Sequence, residues 1–431
     1  MKVHLRALGC RLNEAELETW SQEFQKEGYE VSPKSGDADL VVLNTCAVTN
    51  DASLKSRNLI NRLHRENPNG KLIISGCHSS LNPDEVANTL GVDLVVSNQD
   101  KANLPSIAKA ELNLPTMPIS ATEPNSVALF SRGRHRAFIK IQDGCRYRCT
   151  FCIVTVARGE EKSRPTSDII AEINNFHAAG IQEIVLTGVH VGGFGSDIGS
   201  DLHTLVTTIL TDTEIPRIRF ASVEPWDLPE EFFQLFLNPR VMPHMHLPLQ
   251  SGANSILRRM ARRCKTEQFM ALVQQARDTI PEFNITSDII AGFPGETEEE
   301  WQQTLDFSQQ VGFGHLHIFP YSPREGTKAA GLPDQIQKPQ AQARCRELAV
   351  LASTMKKHSL EKMVGKTNVP VLWERPTRGS EPNTLKYMGY TPNYLRVEVY
   401  TPADIDLEYS ITNVTLTGIS ANEDTLVGIL D

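Results

Sequence analysis

In the first hundred residues, short apolar runs alternate with amphipathic stretches. Val3–Leu8 reads as a strand, followed by a helix from about Asn13 to Lys26. Leu40–Asn44 is a second strand with a helix near Ala52–His64, and Lys71–Ser75 and Leu94–Val96 complete the series. Such βα alternation predicts a doubly wound parallel sheet. Between 113 and 135, Pro115, Pro118 and Pro124 sit among Ser, Thr and Asn, the composition of a linker. A longer βα series follows, with strands at Ala137–Ile141, Glu183–Thr187, Ile218–Ser222, His244–Leu247, Asn284–Ile290 and His315–Phe319. Helical stretches at Ser167–Ala179, Thr266–Ile280 and Thr297–Val311 separate them. Six units are too many for a small nucleotide-binding domain and too few for a closed eight-unit barrel. They predict a partial (β/α)6 barrel with its chemistry at the C-terminal strand ends. A long helix from Lys338 to about Met363 leads to β-rich runs at Val369–Trp373, Leu395–Tyr400, Val414–Ile419 and Thr425–Leu430. These predict a small all-β module. The expected division is 1–112, a linker at 113–135, 136–362 and 363–431.

Composition narrows the class. The 431 residues are 40% hydrophobic and 22% charged with a net charge of −9, which excludes collagen, coiled coil and wholesale disorder. No apolar run approaches the ~18 residues of a membrane span, and Met1–Cys10 has no apolar core of a signal peptide. A cytoplasmic location is expected. There the eight cysteines are reduced, and their spacing is read for metal chemistry before disulfides.

The strongest local signal is Cys145, Cys149 and Cys152, spaced C-x3-C-x2-C directly after the first predicted barrel strand. Three thiolates on one loop suit three irons of a 4Fe-4S cube, leaving the fourth iron open to a small molecule. The competing readings are three unrelated buried cysteines, or a zinc loop completed by a distant His. Cys10, Cys46 and Cys77 are far apart in the chain, yet each follows a predicted strand. In a parallel sheet such ends lie along one edge, so the three can converge on a second cluster. The alternative is that free cysteines favour sheet interiors. Gly9 and Gly76 would let the backbone approach a bulky group. Cys264 and Cys345 lack this setting and read as structural. His244 with His246, and His315 with His317, each alternate on one side of a strand and read as hydrogen-bonded barrel residues or substrate contacts, with a metal site as the other option. The glycine-rich Gly192–Gly195 stretch reads as a flexible strand-end loop.

Charge is less direct. Residues 132–164 hold nine basic residues (Arg132, Arg134, Arg136, Lys140, Arg146, Arg148, Arg158, Lys162 and Arg164) against three acidic ones. Arg258, Arg259, Arg262, Arg263 and Lys265 form a second run. Both suit phosphate contacts, and both also suit a solvated surface. Residues 361–431 hold six basic and ten acidic residues, so nucleic-acid binding there would need aromatics such as Trp373, Tyr387, Tyr390 and Tyr394.

The cysteine triad resembles the signature of the radical S-adenosylmethionine superfamily, in which the open iron chelates S-adenosylmethionine and one electron releases a 5′-deoxyadenosyl radical. The resemblance implies that Phe151 helps position the adenine, Ile290 packs on it and Asp288 lies near the ribose. It also makes Gln250 a polar contact, with Ser222 and Glu224 as weaker ones; for Glu224 a solvated loop carboxylate is the other reading. The chain as a whole resembles the methylthiotransferases. The motifs are Gly9 to Glu16, Asn44-Thr-Cys46, Gly76-Cys77, the Cys145 loop, Ala157-Arg-Gly159, Ser222 to Pro225, His246 to Gly252, Gly292 to Thr297 and Phe319 to Thr327. That resemblance implies an N-terminal cluster domain, a radical barrel and a C-terminal TRAM module. It implies two 4Fe-4S clusters, on Cys145, Cys149 and Cys152 and on Cys10, Cys46 and Cys77. Within the family, Gly9 to Glu16 and Leu186 to Gly192 look most like enzymes that add a methylthio group to C2 of N6-threonylcarbamoyladenosine in the tRNA anticodon stem-loop. The same chemistry on isopentenyladenosine or on a ribosomal-protein aspartate is the near alternative, and a non-catalytic iron–sulfur RNA-binding or electron-transfer protein the distant one. The partners implied are tRNA, an electron donor such as flavodoxin or ferredoxin, and a sulfur donor.

Overall fold

The computed structural model describes residues 1–115, 136–229 and 231–431. Residues 116–135 of the expected linker, with Arg132 and Arg134, lie outside the described residues.

The N-terminal sheet has five strands: β1 (Lys2–Ala7), β2 (Glu30–Val31), β3 (Leu40–Thr45), β4 (Lys71–Gly76) and β5 (Leu94–Val96). Their order is β2-β1-β3-β4-β5 and every pairing is parallel. β3 shows why the sheet is wound on both sides. Leu40 and Val42 pack with Leu17, Trp20 and Phe24 of helix Arg11–Lys26 on one face. Val41 and Leu43 pack with Leu59, Ile60 and Leu63 of helix Asn50–Glu66 on the other. Alternate residues of a strand point to opposite faces, so a run apolar at every position must be covered twice.

The central region contains β6 (Arg136–Lys140), β9 (Glu183–Thr187), β10 (Arg217–Phe220), β11 (His244–His246), β12 (Asn284–Ala291) and β13 (His315–Pro320). A short hairpin, β7 (Gln142–Asp143) with β8 (Lys162–Ser163), interrupts the series. The six strands form two parallel three-stranded sheets, β10-β9-β6 and β11-β12-β13. Parallel bridges Ile218–Val241 and Ser222–His246 join them. One residue set, including Ile139, Ile184, Leu186, Met245, Leu247, Ile285 and Ile289, builds the core against the outer helices. Cys264 and Cys345 belong to it or pack on it, as expected of structural cysteines.

The C-terminal strands are β14 (Val369–Trp373), β15 (Thr377–Arg378), β16 (Thr384–Tyr390), β17 (Arg396–Pro402), β18 (Ile411–Ile419) and β19 (Leu426–Leu430). The order β14-β18-β19-β17-β16-β15, with a further β14–β16 pairing, turns the sheet back on itself. β16 is missing from the sequence reading. The module sits under the N-terminal ends of the central strands. Arg217 donates to the Tyr390 and Pro370 carbonyls, Arg219 to the Pro392 carbonyl, and Asn284 Nδ2 to the Asn393 carbonyl. Arg136 lies over the Tyr390 and Tyr394 rings, which stack on each other 4.7 Å apart. Buried Glu183 accepts from Arg219 and faces Arg136.

This docking corrects the aromatic expectation. Trp373 and Tyr387 are buried in the module's own core, and Tyr390 and Tyr394 are spent on the arginine layer. Tyr390 and Tyr394 are half-buried, each engaged with the other ring and with Arg136.

Candidate functional site

Three strand ends bring Cys10, Cys46 and Cys77 together, and neighbouring polar residues tie the loops. Asn13 Nδ2 donates to the carbonyls of Leu8 (2.7 Å) and Thr45 (3.1 Å), joining the Cys10 loop to the Cys46 loop. Thr45 Oγ1 donates to the Ser75 carbonyl at 2.6 Å, joining the Cys46 loop to the Cys77 loop. Gly9 has φ +101, and a Cβ there would stand 2.6 Å from Cys46 Sγ. The glycine therefore serves the approach of two cysteine loops rather than of a bound group. Cys10 is exposed, and Cys46 and Cys77 are buried. Although its surface reaches solvent, Cys10 is partly desolvated by the packed groups around it, which raises its thiol pKa; burial pushes that of Cys46 up to about 11, and each feels the charge of Cys77.

The second triad lies on the loop after β6. Thr150 pins it from both sides: its N–H donates to the Met260 carbonyl and its hydroxyl to the Arg259 carbonyl. Gly144 has φ +70, and a Cβ there would strike the Glu160 carbonyl. Burial pushes the Cys145 thiol up to about 12 and the Cys152 thiol up to about 11. The charges that add to the Cys152 shift include Cys149 and also Cys77 of the other triad. Cys77 of the first triad packs with Ala157, just past Cys152, so both triads lie at the joint between the sheet and the central region.

Donor spacing separates the metal alternatives. A tetrahedral zinc–thiolate site sets its sulfurs about 3.8 Å apart. Among the described residues, the one group of three donors mutually within 4.8 Å is His246, Asp288 and His317. Neither cysteine triad has this single-ion spacing. A cube takes each thiolate on a separate iron and so does not require that spacing.

Of the expected small-molecule contacts, Phe151, Ile290 and Glu224 are tied to the Cys145 loop. Phe151 and Ile290 pack on one small cluster with Ile256, Met260 and Phe293, while Ile289 points the other way into the main core. Gln250 is buried with φ +81, its carbonyl accepting from Ile290 N and its N–H donating to the Asp288 carbonyl. Ser222 is exposed at the bridge to His246. Glu224 is not a solvated loop carboxylate. Burial raises its pKa, and its Oε2 is buried with no hydrogen-bond partner. Its charge also acts on Cys145. Glu224 Oε2 makes no hydrogen bond and has His190 Nε2, 3.8 Å away, as a counter-charge, a setting that also fits a cationic ligand group.

Comparison with known proteins places this geometry. Residues 2–97 match the uncharacterized protein family UPF0004, and residues 139–308 the radical SAM superfamily. The threonylcarbamoyladenosine tRNA methylthiotransferase MtaB of Bacillus subtilis is 33% identical, over 100% of this chain and 97% of its own. The chain belongs to the methylthiotransferase family of radical S-adenosylmethionine enzymes. The tRNA-2-methylthio-N(6)-dimethylallyladenosine synthase of Paracoccus denitrificans is 35% identical, over 88% of this chain and 87% of its own. In fold, the radical S-adenosylmethionine methyltransferase TsrM of Kitasatospora setae superposes with a TM-score of 0.58 at 16% identity, covering 76% of this chain and 77% of its own. Among the described residues, no helix of this methylthiotransferase is long and apolar enough to cross a membrane.

The structure gives contacts to residues that the sequence named only within motifs or charge runs. Arg158 Nε donates to Cys77 Sγ at 3.3 Å, and Arg262 Nη1 to Cys149 Sγ at 3.9 Å, so one guanidinium stands against each triad. Arg262 also lies 4.2 Å from the centroid of the Trp226 ring. Arg158 belongs to a buried network with Glu16, Asp143, Lys101 and Lys140. His190 is buried between Glu161 and Asp227, with Glu224 3.8 Å away. Burial opposes its charge, but the three carboxylates prevail and raise its pKa. Gln142 Oε1 accepts from the N–H groups of Val189 and His190, while its Nε2 donates to the Asp143 and Gly144 carbonyls, which locks the methylthiotransferase's cysteine loop to the end of β9.

Two expectations change. Among the described residues of the basic run at 132–164, Arg136 lies under the C-terminal module, Lys140 and Arg158 are in the buried network and Arg164 pairs with Glu172, while Arg146, Arg148 and Lys162 are exposed. In the second run Arg259 pairs with Glu300, and Arg258, Arg263 and Lys265 are exposed. The Gly192–Gly195 stretch is packed, with Gly193 and Phe194 buried against the His190 turn, rather than a flexible loop.

Proposed function

We propose that this enzyme adds a methylthio group to C2 of N6-threonylcarbamoyladenosine at position 37 of tRNA, in the cytoplasm. The observation that carries the reading is the placement of two three-cysteine tripods at one joint, each with an arginine against a sulfur. Cys145, Cys149 and Cys152 would hold one 4Fe-4S cluster and Cys10, Cys46 and Cys77 a second. Thiols raised by burial lose their protons on binding iron, so assembly is coupled to proton release. When bound, the clusters with S-adenosylmethionine supply a radical able to take hydrogen from a carbon that has no useful acidity.

The chain's own residues bind, orient and exclude water. Phe151 and Ile290 form the apolar wall for the adenine. Glu224 Oε2 takes the cationic end of S-adenosylmethionine, with Gln250 and Ser222 as neighbouring polar contacts. Asp288 turns one oxygen to His246 at 3.2 Å and offers its second to the ribose. His190 holds Glu224 and Asp227 in place, and Tyr147, donating to Asp227 at 2.8 Å, anchors the cysteine loop. In this reading the six parallel central strands are a partial (β/α)6 barrel, residues 363–431 are a TRAM-like module, and the units run 1–112, 136–362 and 363–431. An external reductant and a sulfur donor complete the reaction.

Likeness to the Paracoccus enzyme keeps isopentenyladenosine as a second reading of substrate. Mass spectrometry of tRNA nucleosides from a strain lacking this gene decides between them. Loss of the methylthio form of threonylcarbamoyladenosine alone supports the first reading; loss of the isopentenyl derivative alone supports the second.

A further inference from the structure

Three adjacent strands bring together a set of metal donors that includes none of the cysteines. In the parallel register His246 of β11 pairs with Thr286 of β12, and Asp288 of β12 pairs with His317 of β13. Neighbouring strands lie about 4.8 Å apart, and residues two apart share a face. His246, Asp288 and His317 therefore project from one side of the sheet, opposite Met245, Leu247, Ile285 and Ile289 of the core. One nitrogen from each imidazole and one carboxylate oxygen lie mutually within 4.8 Å.

The geometry points to a binding site for one divalent cation of the zinc or ferrous type on His246, Asp288 and His317. Two imidazoles and one carboxylate are a donor set these cations accept, with positions left open. The first imidazole is already oriented. Its Nδ1 lies 3.0 Å from Thr286 Oγ1, which turns Nε2 toward Asp288 Oδ1 at 3.2 Å. A ligating histidine is normally held this way through its other nitrogen. His244 shares the same Thr286 hydroxyl at 3.1 Å, and the His315 ring stands edge-on to His317, 4.7 Å between centroids. The side is open: His317 is exposed and Phe319, next along the same face, is 43% exposed. Donors up to 4.8 Å apart close to the roughly 3.4 Å of a tetrahedral zinc site by side-chain rotation, with no backbone change.

Cation binding stands on these three side chains and does not depend on the proposed function.

The test uses the full chain, reconstituted anaerobically with iron and sulfide, then equilibrated with zinc, freed of excess and analysed for both metals. The expected result is one zinc per chain beyond the iron. His317→Ala and Asp288→Asn should each weaken zinc binding at least about tenfold, and Thr286→Val about ten- to a hundredfold, the usual effect of losing an orienting partner. His358→Ala, on an exposed helix face, should bind as the parent does. Cobalt in place of zinc should show no thiolate-to-metal charge-transfer band, which separates this site from partly filled cysteines. Zinc absent from the parent, retained unchanged in His317→Ala and Asp288→Asn, or accompanied by that band would overturn the proposal. Iron content is read independently, so failure of cluster assembly is distinguishable from failure of the zinc site.

Discussion

Arg158 reaches from the central strands into the N-terminal sheet to place its Nε 3.3 Å from Cys77 Sγ. Its other nitrogens donate to Glu16 (2.9 Å), Asp143 (2.9 Å) and Asn13 (2.8 Å). One planar guanidinium thus joins both units at the point where the two triads meet. A lysine has no fork to serve four partners at once. Arg158→Ala should leave Glu16 and Asp143 short of a counter-charge and cost about 3–5 kcal/mol. Arg158→Lys should recover only part of this. Denaturant unfolding of the cluster-free chain measures both, and parent-like stability in Arg158→Ala would remove the network from the account.

Glu183 gives the chain an acid-sensitive seam. Burial works against its charge, but Arg219 and Arg136 prevail and bring its pKa from 4.5 down to about 2. A carboxylate depressed on folding stabilises above its unfolded pKa and loses that contribution as pH falls through the folded one. The melting temperature should therefore fall between pH 4.5 and about 2, and Glu183→Gln should flatten that part of the profile. The variant should also be less stable at neutral pH, because the arginine layer keeps its charge without a partner.

The fold was readable because its elements carry strong, local periodicity. The N-terminal β3 opens on four apolar residues, β9 is built on Ile184, Val185 and Leu186 and β12 ends on Ile289, Ile290 and Ala291, and their predicted limits agree with the observed ones to within a residue. β16 escaped because Thr384–Tyr390 mixes a lysine and a glycine with half-buried positions and reads as a turn-rich loop. The cysteine loops were legible for the same reason, each following a strand. Arg158, Arg262 and His190 were not. Their partners lie 81, 113 and 37 residues away in the chain, and a charge run looks the same whether it meets solvent or a neighbouring unit. Tyr390 and Tyr394 misled for that reason also: nothing local separates a ring that stacks on a base from one that stacks under Arg136 and Arg219.

Tyr394 should therefore matter for stability. Its hydroxyl accepts from Arg136 at 3.0 Å, its ring lies 4.5 Å from the Arg219 guanidinium carbon, and it stacks on Tyr390. Tyr394→Ala should cost about 2–4 kcal/mol through lost packing and cation–π contact, seen as a lower unfolding midpoint. Deleting residues 366–431 would uncover the same arginine layer, so weaker tRNA binding after that deletion would mix destabilisation with lost contact. Substitutions on the exposed module surface are the cleaner measure of RNA contact.

Glu224 separates ligand binding from cluster assembly. Glu224→Gln should weaken S-adenosylmethionine binding to the reconstituted enzyme about tenfold or more, the scale of one hydrogen bond to a charged group. Its iron content should stay at the parent level. Unchanged affinity in equilibrium dialysis would place Glu224 Oε2 outside the ligand site.

Iron and sulfide content per chain, with each cysteine triad replaced in turn, tests the central claim most directly. Two four-iron clusters should assemble on the parent, and one should survive when either Cys10, Cys46 and Cys77 or Cys145, Cys149 and Cys152 are changed to alanine. A parent that holds a single cluster, or a variant lacking one whole triad that still holds two, would contradict it.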